Sequence, residues 1–204
     1  MRLRPLAVGL AAVAVLTAAA CNRRQEAAQP PAPPAAPVAP VAPVEPPAPP
    51  PLSGFVHDAH VDVQGYYMPV SEVKTGAFRL THLALGAPSD FSQWEANKRM
   101  ATYGPVLIEF EDVTSPTQAN EMGGEAHTGS IRVLPDSYRM DAKGVAFRGH
   151  AAGLGEVTFD GVFDPKGLAA SKGGGAAETV VLRGTLRIGQ TEFKNVAFTY
   201  FAGD

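Results

Sequence analysis

Cysteine is nearly absent. Cys21 is the only one in 204 residues, which excludes an intramolecular disulfide, a zinc ribbon and a CxxC redox pair. An excess of one charge sign is also missing. Lys and Arg number 17 against 20 Asp and Glu, a formal net charge of -3, without the basic footprint of a nucleic-acid binder. The apolar run from Leu6 to Ala20 holds only 15 residues, short of the roughly 20 that a bilayer-spanning helix takes. The motifs GxSxG, HExxH, GxGxxG and the Walker loop do not occur. No cofactor is therefore expected, and the chain reads as non-enzymatic.

What is there begins with an address. Arg2 and Arg4 precede the apolar run, and small residues precede Cys21, the layout of a secretory signal peptide. The stretch Leu16-Thr17-Ala18-Ala19-Ala20-Cys21 resembles a bacterial lipobox. That resemblance covers residues 1–21. It implies a signal peptide of residues 1–20, a diacylglyceryl group on the Cys21 sulfur, cleavage just before Cys21 and acylation of the new amine. The family usually has Leu three positions before the Cys, where this chain has Ala18. Ala18 and Ala20 also satisfy the A-x-A pattern of ordinary signal cleavage, whose reading is a soluble secreted protein with a free thiol. Several acyl chains hold a protein firmly, whereas one alone binds only marginally. By the sorting rule of the same family, Asn22 rather than Asp after the Cys implies the outer membrane. The expected location is thus the cell envelope, lipid-anchored and facing the periplasm, with the membrane as partner.

Residues 21–52 form the lipidated Cys and its linker. Twelve of the 19 prolines fall between Ala27 and Leu52, with repeated Ala-Pro-Val units. Proline fixes φ and removes the amide donor, so helix and sheet are both disfavoured. The 22 residues from Pro30 to Pro51 would reach on the order of 70 Å as polyproline II. The segment reads as a stalk in preference to a docking motif, since no basic residue flanks the prolines.

Residues 53–204 are long enough to bury a core as one domain. They carry 13 Lys and Arg against 18 Asp and Glu, a net -5, a balance expected to be repelled by anionic lipid heads and phosphates. In Pro105 to Asp112, Val106, Ile108 and Phe110 fall on one face while Glu109 and Glu111 fall on the other, the period of a strand with one wet face. Similar runs are Ser130 to Leu134, Val145 to Gly149, Glu156 to Phe163, Thr179 to Ile188 and Thr191 to Phe201. Gly189 suits a two-residue type II′ hairpin loop, and Gly144 a turn with positive φ. Gly167 to Ala177 predicts a mobile loop tip. One helix is expected over about residues 90–102, with a capping-box spacing from Ser92 to Glu95. The expected fold is mainly β: an antiparallel sandwich or barrel of seven to nine strands with that single helix.

Candidate chemistry is sparse. Ser71-Glu72-Val73-Lys74 and Lys74-Thr75-Gly76 match SxxK and KTG, but they share one lysine, which favours coincidence over a penicillin-recognising serine enzyme. Asp58, His60 and Asp62 would point the same way in a strand and are candidate ligands for a divalent cation. A solvated strand face is the plainer reading, so no metal is assigned. The loop from Thr114 to Thr128 brings Asn120, Glu121, Glu125 and His127 around two glycines, a candidate binding loop on a rigid scaffold. Tyr66 and Tyr67, with Trp94, could stack on a sugar ring, although core packing suits Trp94 better. These features predict a binding or scaffolding domain with a protein or small-molecule ligand and no nucleic acid. The rivals are a barrel carrying an apolar or amphiphilic ligand, and a carboxylate-dependent hydrolase.

Overall fold

The computed structural model describes residues 52–119, 123–175 and 178–203. Its elements in chain order are β1 (Phe55–His57), β2 (Gly65–Pro69), β3 (Lys74–Thr75), β4 (Phe78–Leu85), α1 (Pro88–Glu95), β5 (Val106–Asp112), β6 (Thr117–Ala119), β7 (Glu125–His127), β8 (Ser130–Val133), β9 (Pro135–Met140), β10 (Gly144–Ala151), β11 (Gly155–Phe163), α2 (Pro165–Lys172), β12 (Val180–Ile188) and β13 (Thr191–Phe201). Cys21 and its linker, together with Asn120 and Glu121, lie outside the described residues.

The fold is mainly β, as expected, but with 13 strands among the described residues instead of seven to nine. Eleven build one sheet in the order β1-β9-β10-β11-β12-β13-β2-β4-β5-β8, with β3 beside β4, and β6 and β7 pair separately. The sheet curls into a half-barrel. Leu134 alone joins β8 to β9, so the chain passes in one step from one end of the strand order almost to the other. Pairing is antiparallel except between β1 and β9, which run parallel, a departure from the all-antiparallel expectation.

Alternation explains the long strands. In β11, Val157, Phe159, Gly161 and Phe163 face inward while Asp160 and Val162 face water. The concave side is filled by rings and branched chains: Tyr67, Phe110, Tyr138, Phe147, Phe159 and Phe198 are among the fully buried side chains. Phe159 and Phe198 meet edge to face at 5.5 Å, a favoured aromatic geometry.

Two turns show different uses of glycine. Gly189 has φ +56 between the paired residues Ile188 and Thr191. Gln190 does not have positive φ, so the loop follows the II′ rather than the I′ pattern. At Gly144, φ is not positive, contrary to expectation. The turn is closed instead by Asp141, whose carboxylate accepts from the backbone N–H of Lys143 and Gly144 at 2.7 and 3.1 Å. Glycine is needed there because a Cβ would lie 2.1 Å from the Gly161 carbonyl oxygen.

Among the described residues there are two helices where one was expected. α1 is shorter than residues 90–102 because Asn97 adopts φ +63, a left-handed conformation that Asn tolerates and that ends a helix. Its start also differs. Pro88 occupies the first turn and the Asp90 carboxylate accepts from the Ala87 N–H at 2.8 Å, while Ser92 Oγ donates to the Pro88 carbonyl. α2 stands where a loop was expected. Asp164 caps it by accepting from the Lys166 N–H, Pro165 follows at the first helical position, and Gly173 closes it.

Candidate binding cleft and neighbouring residues

The side chain of Leu168 turns inward from α2 and is buried. It leaves an apolar cleft beside the helix, lined by Val61, Val63, Phe163, Leu168 and Ala169 with a volume of about 370 Å³. Small-molecule sites commonly occupy roughly 300–1,000 Å³ and carry a few fixed polar groups. Here those groups are Asp62 and Lys172, both on the lining. Lys172 Nζ donates to the Asp62 carboxylate at 2.9 Å and to the Asp62 carbonyl oxygen at 3.1 Å. Hydrogen bonding from Lys172 holds the Asp62 carboxyl below its usual range, helped by the Gln64 N–H.

Asp62 thus reaches a cleft, but not as part of a strand. β1 ends at His57, and the following residues turn: Asp58 accepts from the His60 N–H and Asp62 from the Gln64 N–H, each at 3.0 Å. The short Asx turns remove the period of two on which a shared face of Asp58, His60 and Asp62 depended. Among the described residues, no three His, Cys, Asp or Glu side chains converge as metal ligands.

Tyr66 and Tyr67 part company across the sheet. Tyr67 is 0% exposed, its hydroxyl donating to the Val63 carbonyl at 2.7 Å and its ring 5.9 Å from Phe163, so it cannot stack on a sugar. Burial pushes its phenol far above the usual range. Tyr66, one residue earlier, points outward at 41% exposure, edge-on to His82 and near Phe201. Trp94 is 6% exposed and belongs to the core.

Glu125 and His127 sit on β7 in the separate β6–β7 hairpin, structure that the expected plain loop did not include. Glu125 accepts weakly from Thr117 Oγ1 at 3.4 Å, and His127 Nδ1 lies 2.9 Å from the Ser115 carbonyl oxygen. Both contacts are local to the hairpin.

A polar cluster that pattern reading did not single out fastens α1. Glu95 Oε1 receives the Tyr138 hydroxyl at 3.0 Å and lies 2.8 Å from His57 Nδ1. The His57 side chain is 6% exposed and stacked on Phe91 at 5.2 Å. Burial, then the Glu95 carboxylate, pushes the Tyr138 phenol well above its usual range. His57 Nε2 is buried without a partner among the described residues. The visible signal is Glu95 closing a short helix; its two partners are remote in the chain.

Compared with family models, curated proteins and solved structures, the chain matches none.

Proposed function

We propose that this chain is a non-enzymatic binding or scaffolding module of the bacterial cell envelope, anchored through an acylated Cys21 and held off the outer membrane by its proline-rich linker. Its supporting structural observation is the filled interior of the half-barrel. With Tyr67, Phe110, Tyr138 and Phe159 buried there, recognition falls to the outer surface and the rims. Intact-mass analysis of protein extracted from its host tests the anchor. The expected species begins at Cys21 and carries a diacylglyceryl group and an amide-linked acyl chain. An unmodified thiol in a soluble fraction overturns it.

A second reading, a carrier of a small apolar or amphiphilic ligand, is favoured by the cleft beside α2. Native mass spectrometry separates the two. A retained amphiphile that is lost on Ala169→Phe, which fills the cleft, supports the carrier; ligand-free protein supports the scaffold.

A further inference from the structure

α2 ends at Lys172, and the cleft beside it joins apolar walls, chiefly Val61, Val63, Phe163, Leu168 and Ala169, to a charged rim of Asp62 and Lys172. An ammonium has three donors and no acceptor. Lys172 Nζ directs one to the Asp62 carboxylate and one to the Asp62 carbonyl oxygen, so one N–H is left over. The Asp62 carboxylate accepts from Lys172 on one oxygen and from the Gln64 N–H on the other. Each oxygen keeps acceptor capacity, and the side chain is 60% exposed. The rim thus offers a ligand one donor and a nearby acceptor.

The rim is already charge-balanced before a ligand arrives. Asp62 is ionised at neutral pH, since Lys172 holds its carboxyl below the usual range. Lys172 is the last residue of α2, and a helix C-terminus carries a partial negative charge. An anionic head brought to Lys172 would meet both the carboxylate and the negative end of the helix. A cationic head would meet Lys172 itself and accept nothing from it. A zwitterionic head would need two further full charges taken from water. A hydroxyl fits without disturbing the ion pair: its oxygen accepts the spare N–H and its proton goes to Asp62. At about 370 Å³ the cleft lies near the lower end of the range for small-molecule sites, so one alkyl chain suits it better than two.

We propose that the α2 cleft takes a neutral single-chain amphiphile with a hydroxyl head, the chemistry of a fatty alcohol or a monoacylglycerol, and discriminates against the matching carboxylate. This assignment rests on the carrier reading of the cleft and adds the head group to it. Affinity comes mainly from burial of the chain against the apolar walls. Selectivity comes from the rim, where a head of the wrong charge is opposed by Asp62 or by Lys172.

The test is calorimetric titration of the full chain carrying Cys21→Ser, at neutral pH, with ligands that share a decyl chain: decanol, decanoate, decyltrimethylammonium and decylphosphocholine. The leader and linker are common to every variant, so the binding that Ala169→Phe removes is the share of the cleft. Within that share decanol should bind tightest. Asp62→Asn removes the charge, still accepts from the Gln64 N–H and should leave the melting temperature unchanged. Decanoate then meets Lys172 without an opposing carboxylate, so the decanol-to-decanoate affinity ratio should fall about tenfold, roughly the effect of one unbalanced charge at a partly solvated site. An unchanged ratio overturns the proposal, because any apolar cleft prefers the alcohol and only a shift shows the rim reading the head. Tighter binding of decanoate or of another charged head to the parent also overturns it, while leaving the carrier reading in place. If Ala169→Phe removes no binding of any decyl compound, the carrier reading itself fails and this assignment with it.

Discussion

Lys172 Nζ stands 2.9 Å from Asp62 Oδ2 and 3.1 Å from the Asp62 carbonyl oxygen, tying the end of α2 to the loop before β2 across 110 positions of sequence. The contact closes one side of the apolar cleft, and it makes that side sensitive to acid. Asp62 has a lowered pKa in the folded protein, chiefly through Lys172. Its contribution to stability is present above the unfolded value of 3.8 and is lost as pH falls through the lowered folded value. In Lys172→Ala, the Asp62 carboxyl should return towards 3.8 in an NMR titration. Because Asp62 is largely exposed, the loss of stability should stay within about 1 kcal/mol.

Glu95→Ala removes the one acceptor shared by the Tyr138 hydroxyl and His57 Nδ1. Both donors are then left in a buried setting, at a cost of about 1–3 kcal/mol for each unsatisfied group. Urea unfolding should show a loss of about 2–6 kcal/mol, with Glu95→Gln retaining most of the stability because an amide oxygen still accepts.

His82 is held below its ordinary pKa of 6.5 by burial, against the opposing pull of Glu109. The unfolded chain therefore binds the proton more readily than the folded one. Stability should fall as pH drops below about 6.5 and continue falling until the folded imidazole also protonates. Melting temperatures of His82→Gln should be flatter than those of the parent between about pH 6.5 and 5.

Two glycine-to-alanine changes should separate close approach from turn conformation. Gly144→Ala places a methyl against the Gly161 carbonyl of the paired strand, and should cost 3 kcal/mol or more, roughly the tail of single-substitution effects. Gly189→Ala meets nothing nearer than 3.5 Å and pays only the left-handed penalty, about 1–2 kcal/mol. Chemical denaturation of the two variants checks the order.

The strands from β10 to β13, 8, 9, 9 and 11 residues long, were legible because each repeats the apolar-polar period several times; β4, with eight residues, was not among the expected runs. β1, β3, β6 and β7 have three residues or fewer, too few for a period to register. β9 begins with Pro135 and carries Asp136 and Arg139, so its polar content concealed it. In α2 the cap Asp164 and the first-turn Pro165 were a readable start, outweighed by the glycines beyond it. The candidate site was less legible. Asp62 stood out, but its partner Lys172 belongs to a helix unrecognised as one.

β1 is the first strand after the proline-rich segment, and it is three residues long. Any tension borne by the preceding chain enters the folded body there. Its resistance comes from a parallel pairing to β9, the His57–Glu95 contact, and the Phe55 ring packed against Tyr138 and beneath the Arg99 guanidinium. Under load, peeling of β1 would break the His57–Glu95 contact and uncover one side of the Tyr138 ring, while the Tyr138 hydroxyl on Glu95 and the Phe91–Tyr138 ring contact still hold α1 to β9, so this edge would yield first and locally, like a mechanical fuse.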